Sequence, residues 1–153
     1  MEATEVDEFV ATVLPRQVGA ERALHGGDLE PRLALWTRAD PVTLFGAWGP
    51  CESGWADVSR TFDWVASRFS DCKAYELELV AAGVSGDLAY TVGYEHSTSS
   101  VDGGPAVPNT LRVTHVYRRE NGEWRIVHRH GDHLPVDQRP EAVAGERPQR
   151  VTD

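Results

Sequence analysis

A chain that sets Asn121-Gly122 between two runs of β-branched and aromatic residues has little choice but to fold back on itself there. A two-residue type I′ turn needs positive φ at both central positions, and Asn-Gly supplies it most readily. The stretch Thr110 to Asp132, TLRVTHVYRRENGEWRIVHRHGD, is therefore expected to be a β-hairpin. A two-residue turn sets the register: Glu120 opposite Glu123, Tyr117 opposite Ile126, His115 opposite His128 and Val113 opposite His130. Side chains alternate along a strand, so this register defines two faces. Leu111, Val113, His115, Tyr117, Ile126, His128 and His130 share the apolar one, and Arg112, Thr114, Val116, Arg118, Arg125, Val127 and Arg129 the mostly basic one. Imidazoles on an otherwise buried face are what needs explaining.

At 153 residues, with 41% hydrophobic content and five tryptophans, the chain suits one globular domain with a real core. A net charge of −9 argues against nucleic acid or an anionic membrane as the main partner. No signal-peptide pattern and no apolar run able to span a bilayer is seen. Cys51 and Cys72 match no metal or redox spacing and read as reduced thiols in a cytoplasmic protein.

Taken in order, Glu5 to His25 has a helical stripe through Val6, Phe9, Val10, Val13, Leu14 and Val18, with Pro15 marking a kink or boundary. Asp28 is placed to cap a second helix through Trp36. Val42 to Trp48 reads as a strand. Ser53 would cap a third helix from Gly54 to Phe69, where Trp55, Val58, Phe62, Val65 and Phe69 recur at helical spacing. Strands are expected at Lys73 to Val80 and Leu88 to His96, the second with Tyr90, Val92, Tyr94 and His96 on one face. Ser97 to Asn109 reads as a long polar connection. Glu76, Glu78 and Glu95 are assigned to the solvent face, and His25 and His133 to solvent. Helices first and strands last imply an α+β fold, with three helices packed on one face of a curved antiparallel sheet and a pocket between. Residues 1–135 form that domain, and 136–153 are expected to be a loosely ordered tail.

The segments GGDLEPRLALW, DPVTLFGAWG, GDLAYTVGY and THVYRRENGEWRIVHRHGD resemble the nuclear transport factor 2-like superfamily, in particular its SnoaL-like branch. The last is also similar to the closing hairpin of the association domain of calcium/calmodulin-dependent protein kinase II. The resemblance implies a cone-shaped α+β fold with an internal pocket, and a homodimer joined through the outer sheet face that bears Thr114, Val116 and Val127. The general-base aspartate of the superfamily's steroid isomerases would fall near Gly46, and their oxyanion-binding acid near Thr114 or His115. Neither position holds a carboxylate, so that chemistry by those groups is not expected. Anion-binding arginines of the kinase association domain match His96 and His115.

By strand parity His96, His115, His128 and His130 point inward, with Tyr94 beside them. Three uses of these rings stand open: completing the core, acid–base work on a small molecule, or holding a metal. The spacing fits no metal motif, so no metal or cofactor is expected. For acid–base chemistry the residues are His115 and His130, with Tyr94, His96, His128, Trp48 and Tyr117 lining the ligand site. The expected partner is a small apolar or aromatic molecule, and the activity a cofactor-independent isomerase or cyclase type. The alternative is a non-enzymatic sensing or assembly module whose histidines only fill the core.

Overall fold

The computed structural model describes residues 2–134; the expected tail lies outside them. Helix α1 (Glu5–His25) has the predicted bounds. Thr4 and Asp7 cap it reciprocally, each backbone N–H donating to the other's side-chain oxygen at 3.1 Å. The helix runs through Pro15 without a boundary. Pro15 and Ala11 are both exposed, so the carbonyl left without its helical partner lies on the solvent side of the helix.

Helix α2 (Glu30–Leu35) is shorter than expected, and Asp28 Oδ1 still accepts from the Glu30 N–H at 3.1 Å. Of the strand expected from Val42 to Trp48, only strand β1 (Thr43–Phe45) forms, and an additional strand β2 (Cys51–Ser53) folds back on it as a small hairpin. Helix α3 (Trp55–Arg68) is capped from a distance: Asp40 Oδ1, not Ser53, accepts from the Trp55 N–H at 3.1 Å. Strands β3 (Phe69–Ser85), β4 (Leu88–Val101), β5 (Val107–Glu120) and β6 (Glu123–His133) follow. Most of the segment expected to be a loop is strand. Ser97 and Thr98 pair with both β3 and β5, Ser99 with β5, and Ser100 and Val101 with β3, so backbone pairing holds this mostly polar run extended.

The sheet order is β2-β1-β6-β5-β4-β3, antiparallel throughout except for β1 beside β6. This is the α+β fold expected, with three helices against one face of a curved, open sheet. Phe9 lies edge-on to Tyr117 and Trp124 at 5.2 and 5.1 Å, and Trp36 edge-on to Phe62 at 4.8 Å; these rings, with Val13, Val58 and Ile126, form the core.

The hairpin turn falls where predicted, with Asn121 and Gly122 at φ 50° and 78°. Glu120 pairs with Glu123 and Tyr117 with Ile126. Val116, however, pairs with His128, so Val127 is an extra residue, a β-bulge in β6. Every partner beyond it is shifted. His115 faces Arg129 instead of His128, and Val113 faces Gly131 instead of His130. A one-residue slip exchanges the faces of a strand. Arg129 is therefore inside, while His128 and His130 are outside, correcting the inward placement of both.

The same face correction applies to β4. Tyr90, Val92, Tyr94 and His96 do share a face, but it is the outer one. Ala89, Thr91, Gly93 and Glu95 are buried beneath the helices instead. Helix α1 lies mainly over β3, and Gly93 has no room for a side chain because a Cβ there would collide with the Glu78 carbonyl oxygen of β3.

Candidate functional site

On the inner face, the bulge sets Arg129 beside His115 on one side and Leu44 on the other. Its guanidinium lies over Gly131, where a Cβ would come within 3.2 Å of Nη2, so glycine gives it room. Arg129 donates to Glu95 through Nη1 (3.0 Å) and Nη2 (2.6 Å). The Tyr75 hydroxyl donates to the same carboxylate at 2.6 Å. Burial pushes the Glu95 carboxyl's pKa upward, but the charge and hydrogen bonds of Arg129 outweigh this and hold it below the ordinary range. The Tyr75 phenol is raised well above its usual value, by burial first and the Glu95 charge second.

His115 is fully buried between Arg129 and α1. Arginine can only donate, so its Nη1 at 3.1 Å makes His115 Nε2 the acceptor. Burial, and then the charge of Arg129, keep the His115 pKa well below the ordinary value, and the ring is neutral. Its proton sits on Nδ1, 3.1 Å from the Gln17 amide nitrogen, while Gln17 Oε1 is buried without a partner. Half a turn of that amide satisfies both groups, since Nδ1–H then donates to Oε1.

A second buried pair lies alongside. Arg32 donates to Glu21 Oε1 through Nε (3.1 Å) and to Glu21 Oε2 through Nη2 (2.6 Å). Glu21 Oε2 is also 4.0 Å from Arg129 Nη1, so the pairs form one four-charge floor. Above it is a cavity of about 70 Å³. Glu21, His25, Arg32 and Arg129 supply its charged or ring-nitrogen surface, Thr61 and Asn109 add further polar groups, and Leu24, Leu44, Val65, Phe69 and Leu111 form much of its wall. The β1–β2 loop forms its rim through Gly46, Ala47, Trp48 and Pro50. The Trp48 indole is 4.9 Å from the Phe69 ring and carries the Arg68 guanidinium at 4.4 Å.

His25 corrects another expectation, because it is 4% exposed and lines the cavity. Its Nδ1 is 2.6 Å from the Glu21 carbonyl oxygen, which can only accept, so Nδ1 carries the proton. That leaves Nε2 with a lone pair and no hydrogen-bond partner among the described residues.

Of the residues singled out in the sequence, Trp48 lines the cavity. His115 is inside but behind Arg129, and Tyr117 is sealed in the core against Phe9. His130 is exposed on the outer face. His128, half-buried there, has Nδ1 at 2.7 Å from Thr43 Oγ1, and its pKa is lowered by burial and then by His130. Tyr94 stacks on His96 at 6.3 Å, and His96 reaches Thr110 Oγ1 and Glu78 Oε2, each at 3.0 Å. None of these four touches the cavity. Among the described residues no group of three or more His, Cys, Asp or Glu comes together as metal ligands, and no helix is long and apolar enough to cross a membrane.

Glu21, His25, Arg32, Glu95 and Arg129 are the site residues that sequence reasoning missed. Part of the signal was there. Gln17, Glu21 and His25 continue, four residues at a time, the buried line begun by Phe9 and Val13.

Comparison with known proteins agrees with this architecture. Residues 20–136 match the family profile described as a SnoaL-like domain. A candidate dehydratase of the NTF2-like family from Streptomyces avermitilis superposes with a TM-score of 0.67 at 25% identity, over 84% of this chain and 97% of that one. A candidate calcium/calmodulin-dependent protein kinase type II association domain from Thiobacillus denitrificans gives 0.63 at 19% identity, over 88% and 99% of the two chains. The F-box protein SKIP8 of Arabidopsis thaliana is 25% identical over 109 residues, which are 71% of this chain and 44% of that protein. The chain thus spans less than half of that relative.

Proposed function

Since this chain belongs to the SnoaL-like family, on the nuclear transport factor 2-like fold, we propose that its cavity receives a small, partly apolar molecule and exchanges a proton with it. The observation that carries this is His25: a buried ring on the cavity wall whose Nε2 is the acceptor and is left unpaired. Arg129 lines the same cavity with N–H groups beyond those that Glu95 and His115 engage. In a bound carbonyl compound, the C–H bond next to the carbonyl breaks and the proton moves to His25 Nε2. The electron pair passes to the carbonyl oxygen, and an Arg129 N–H steadies the enolate. Where the compound is β,γ-unsaturated, the enolate is a dienolate, and return of the proton to its γ carbon moves the double bond and completes an isomerisation. Its delivery to a β-hydroxyl leaving group releases water, a dehydration.

His115, Gln17, Glu95 and Tyr75 hold Arg129 in place without touching the guest. This moves the acid–base role from His115 and His130 to His25. Proton exchange tests it without knowledge of the natural substrate. Incubated in D₂O with 4-methyl-2-pentanone, the protein should exchange the protons next to the carbonyl faster than buffer does, as read by NMR. His25→Ala should lower that rate by about 100-fold, the usual contribution of one general base. Exchange no faster than buffer in the unaltered protein would end this proposal.

The outer sheet face supports a further proposal, a homodimer. Phe45 and Tyr90 are 41% and 44% exposed there, beside half-buried Val92, Tyr94, Thr114 and Val116, and a second copy would cover them. The two cysteines are unpaired, which fits action in the cytoplasm.

A further inference from the structure

The charges beneath the cavity say more about the guest than the cavity's shape does. Building on the cavity assignment above, we propose that the molecule it takes is an uncharged carbonyl compound, and that carboxylates of the same shape are turned away. Two buried carboxylates, Glu21 and Glu95, face two buried guanidinium groups, Arg32 and Arg129, each cation within hydrogen-bond distance of its anion. His115 beside them is neutral. The floor sums to zero, so it holds no surplus positive charge for an anion to neutralise.

An anion approaching Arg129 also meets Glu21, whose Oε2 lies 4.0 Å from Arg129 Nη1 and which lines the same cavity. In this water-poor setting that repulsion is weakly screened. An ammonium ion would meet Arg32 and Arg129 in the same way. The chain's net charge of −9 further disfavours an anion arriving from solution.

What the floor does offer is hydrogen bonding without net charge. Of the five N–H groups of Arg129, two on Nη1 serve Glu95 and His115, and one on Nη2 serves Glu95. The Nε–H and the second Nη2–H have no partner among the described residues. A carbonyl oxygen accepts such a donor and brings no charge with it. His25 Nε2 presents the complementary lone pair, which suits a polarised C–H or an amide N–H. A carboxylate offers it only further lone pairs. The volume sets the scale: about 70 Å³ is room for roughly five water molecules. Monocyclic or branched compounds of a few carbons fit it, and fused polycyclic ones do not.

Three probes isolate the charge. 4-Methyl-2-pentanone, 3-methylbutanamide and 3-methylbutanoate share one branched skeleton and differ only in the group on the carbonyl carbon. Binding to the intact protein, followed by NMR titration at about pH 8, where the acid is fully ionised, should rank ketone and amide at least tenfold tighter than carboxylate. A carboxylate that binds as well as the ketone, or better, overturns the charge inference while leaving the cavity assignment standing. Binding of none of the three overturns both. Glu95→Gln supplies an inversion. With one floor carboxylate neutralised, Arg129 carries uncompensated charge, and 3-methylbutanoate should then raise the melting temperature of the variant more than the ketone does. The opposite order in a folded Glu95→Gln protein also overturns the inference; should the variant not fold, the ranking in the unaltered protein decides alone.

Discussion

Between its turn and Tyr117 the closing hairpin is an ordinary ladder, and beyond Val127 it becomes the floor of a cavity. In the first part Tyr117 and Ile126 face each other, fully buried, and pack with Phe9 and Trp124. In the second part His115 and Arg129 face each other, also buried but polar, and their polar atoms are held by an ion pair and hydrogen bonds. The same two strands carry both. One unpaired residue separates them, and it selects an arginine over two histidines for the interior. Burial therefore does not distinguish core from site here; the fate of the buried charge does. The apolar half gains from removal from water, whereas the polar half tolerates it only because each charge has its partner.

That contrast can be broken most forcefully at Arg129. Arg129→Met leaves Glu95 buried and unpaired, and urea unfolding should show a loss of about 3–5 kcal/mol. The double variant Arg129→Met/Glu95→Gln should regain a large share, because no orphan charge remains. A double variant as unstable as the single one would mean that shape, not charge, holds this half together.

Acid sharpens the same contrast more gently. His115 has a depressed folded pKa, so its contribution to stability is present above the unfolded value near 6.5 and is lost as pH falls through the lower folded value. Over that window the unfolded chain binds a proton that the native state refuses, and stability should drop by up to about 1.4 kcal/mol per pH unit. Glu95, also depressed, adds its own loss at lower pH, below its ordinary value near 4.5. His115→Asn should flatten the first slope and leave the second; an unchanged slope between about pH 6.5 and 5 would place the titration elsewhere.

The smallest effect belongs to the outer histidines. His128→Gln and His130→Gln should change stability by no more than about 0.5 kcal/mol and leave carbonyl proton exchange untouched. On the same face Tyr90→Glu should shift sedimentation from dimer toward monomer, without altering the fold by circular dichroism. A loss of exchange in either histidine variant would put the chemistry back on the wrong side of the sheet.

The sequence made the scaffold legible because its signals are local. Helix α1 was bounded to the residue by its helical pattern, and the hairpin was placed by a dipeptide. The site was not legible, for two separate reasons. The Val127 bulge leaves no mark in a strand of alternating residues, and parity counted outward from the turn fails at the first irregularity. On β4, choosing the more apolar face put Tyr94 and His96 inside, although the inner positions are held by Ala89, Thr91 and Gly93, the last against the β3 backbone at Glu78, with Glu95 paired beyond them. The α1 residues were legible in principle. Glu21 and His25 stand on the helix's buried line, and polar residues at such positions either have partners or have work to do.

The outermost long strand, β3, has a consequence for how copies of this chain can meet. Its seventeen residues have a strand partner on only one side among the described residues, and such an edge would be a template for ribbon growth, strand upon strand between molecules. Two register breaks, between Ser70 and Ala74 and between Leu79 and Ala81, cut that rail into short lengths; Lys73 stands exposed in the first break, and Glu76 and Glu78 between the two. Fibre-like zipping is thereby made costly, while the broad surface at right angles to it stays open for a closed, finite pairing.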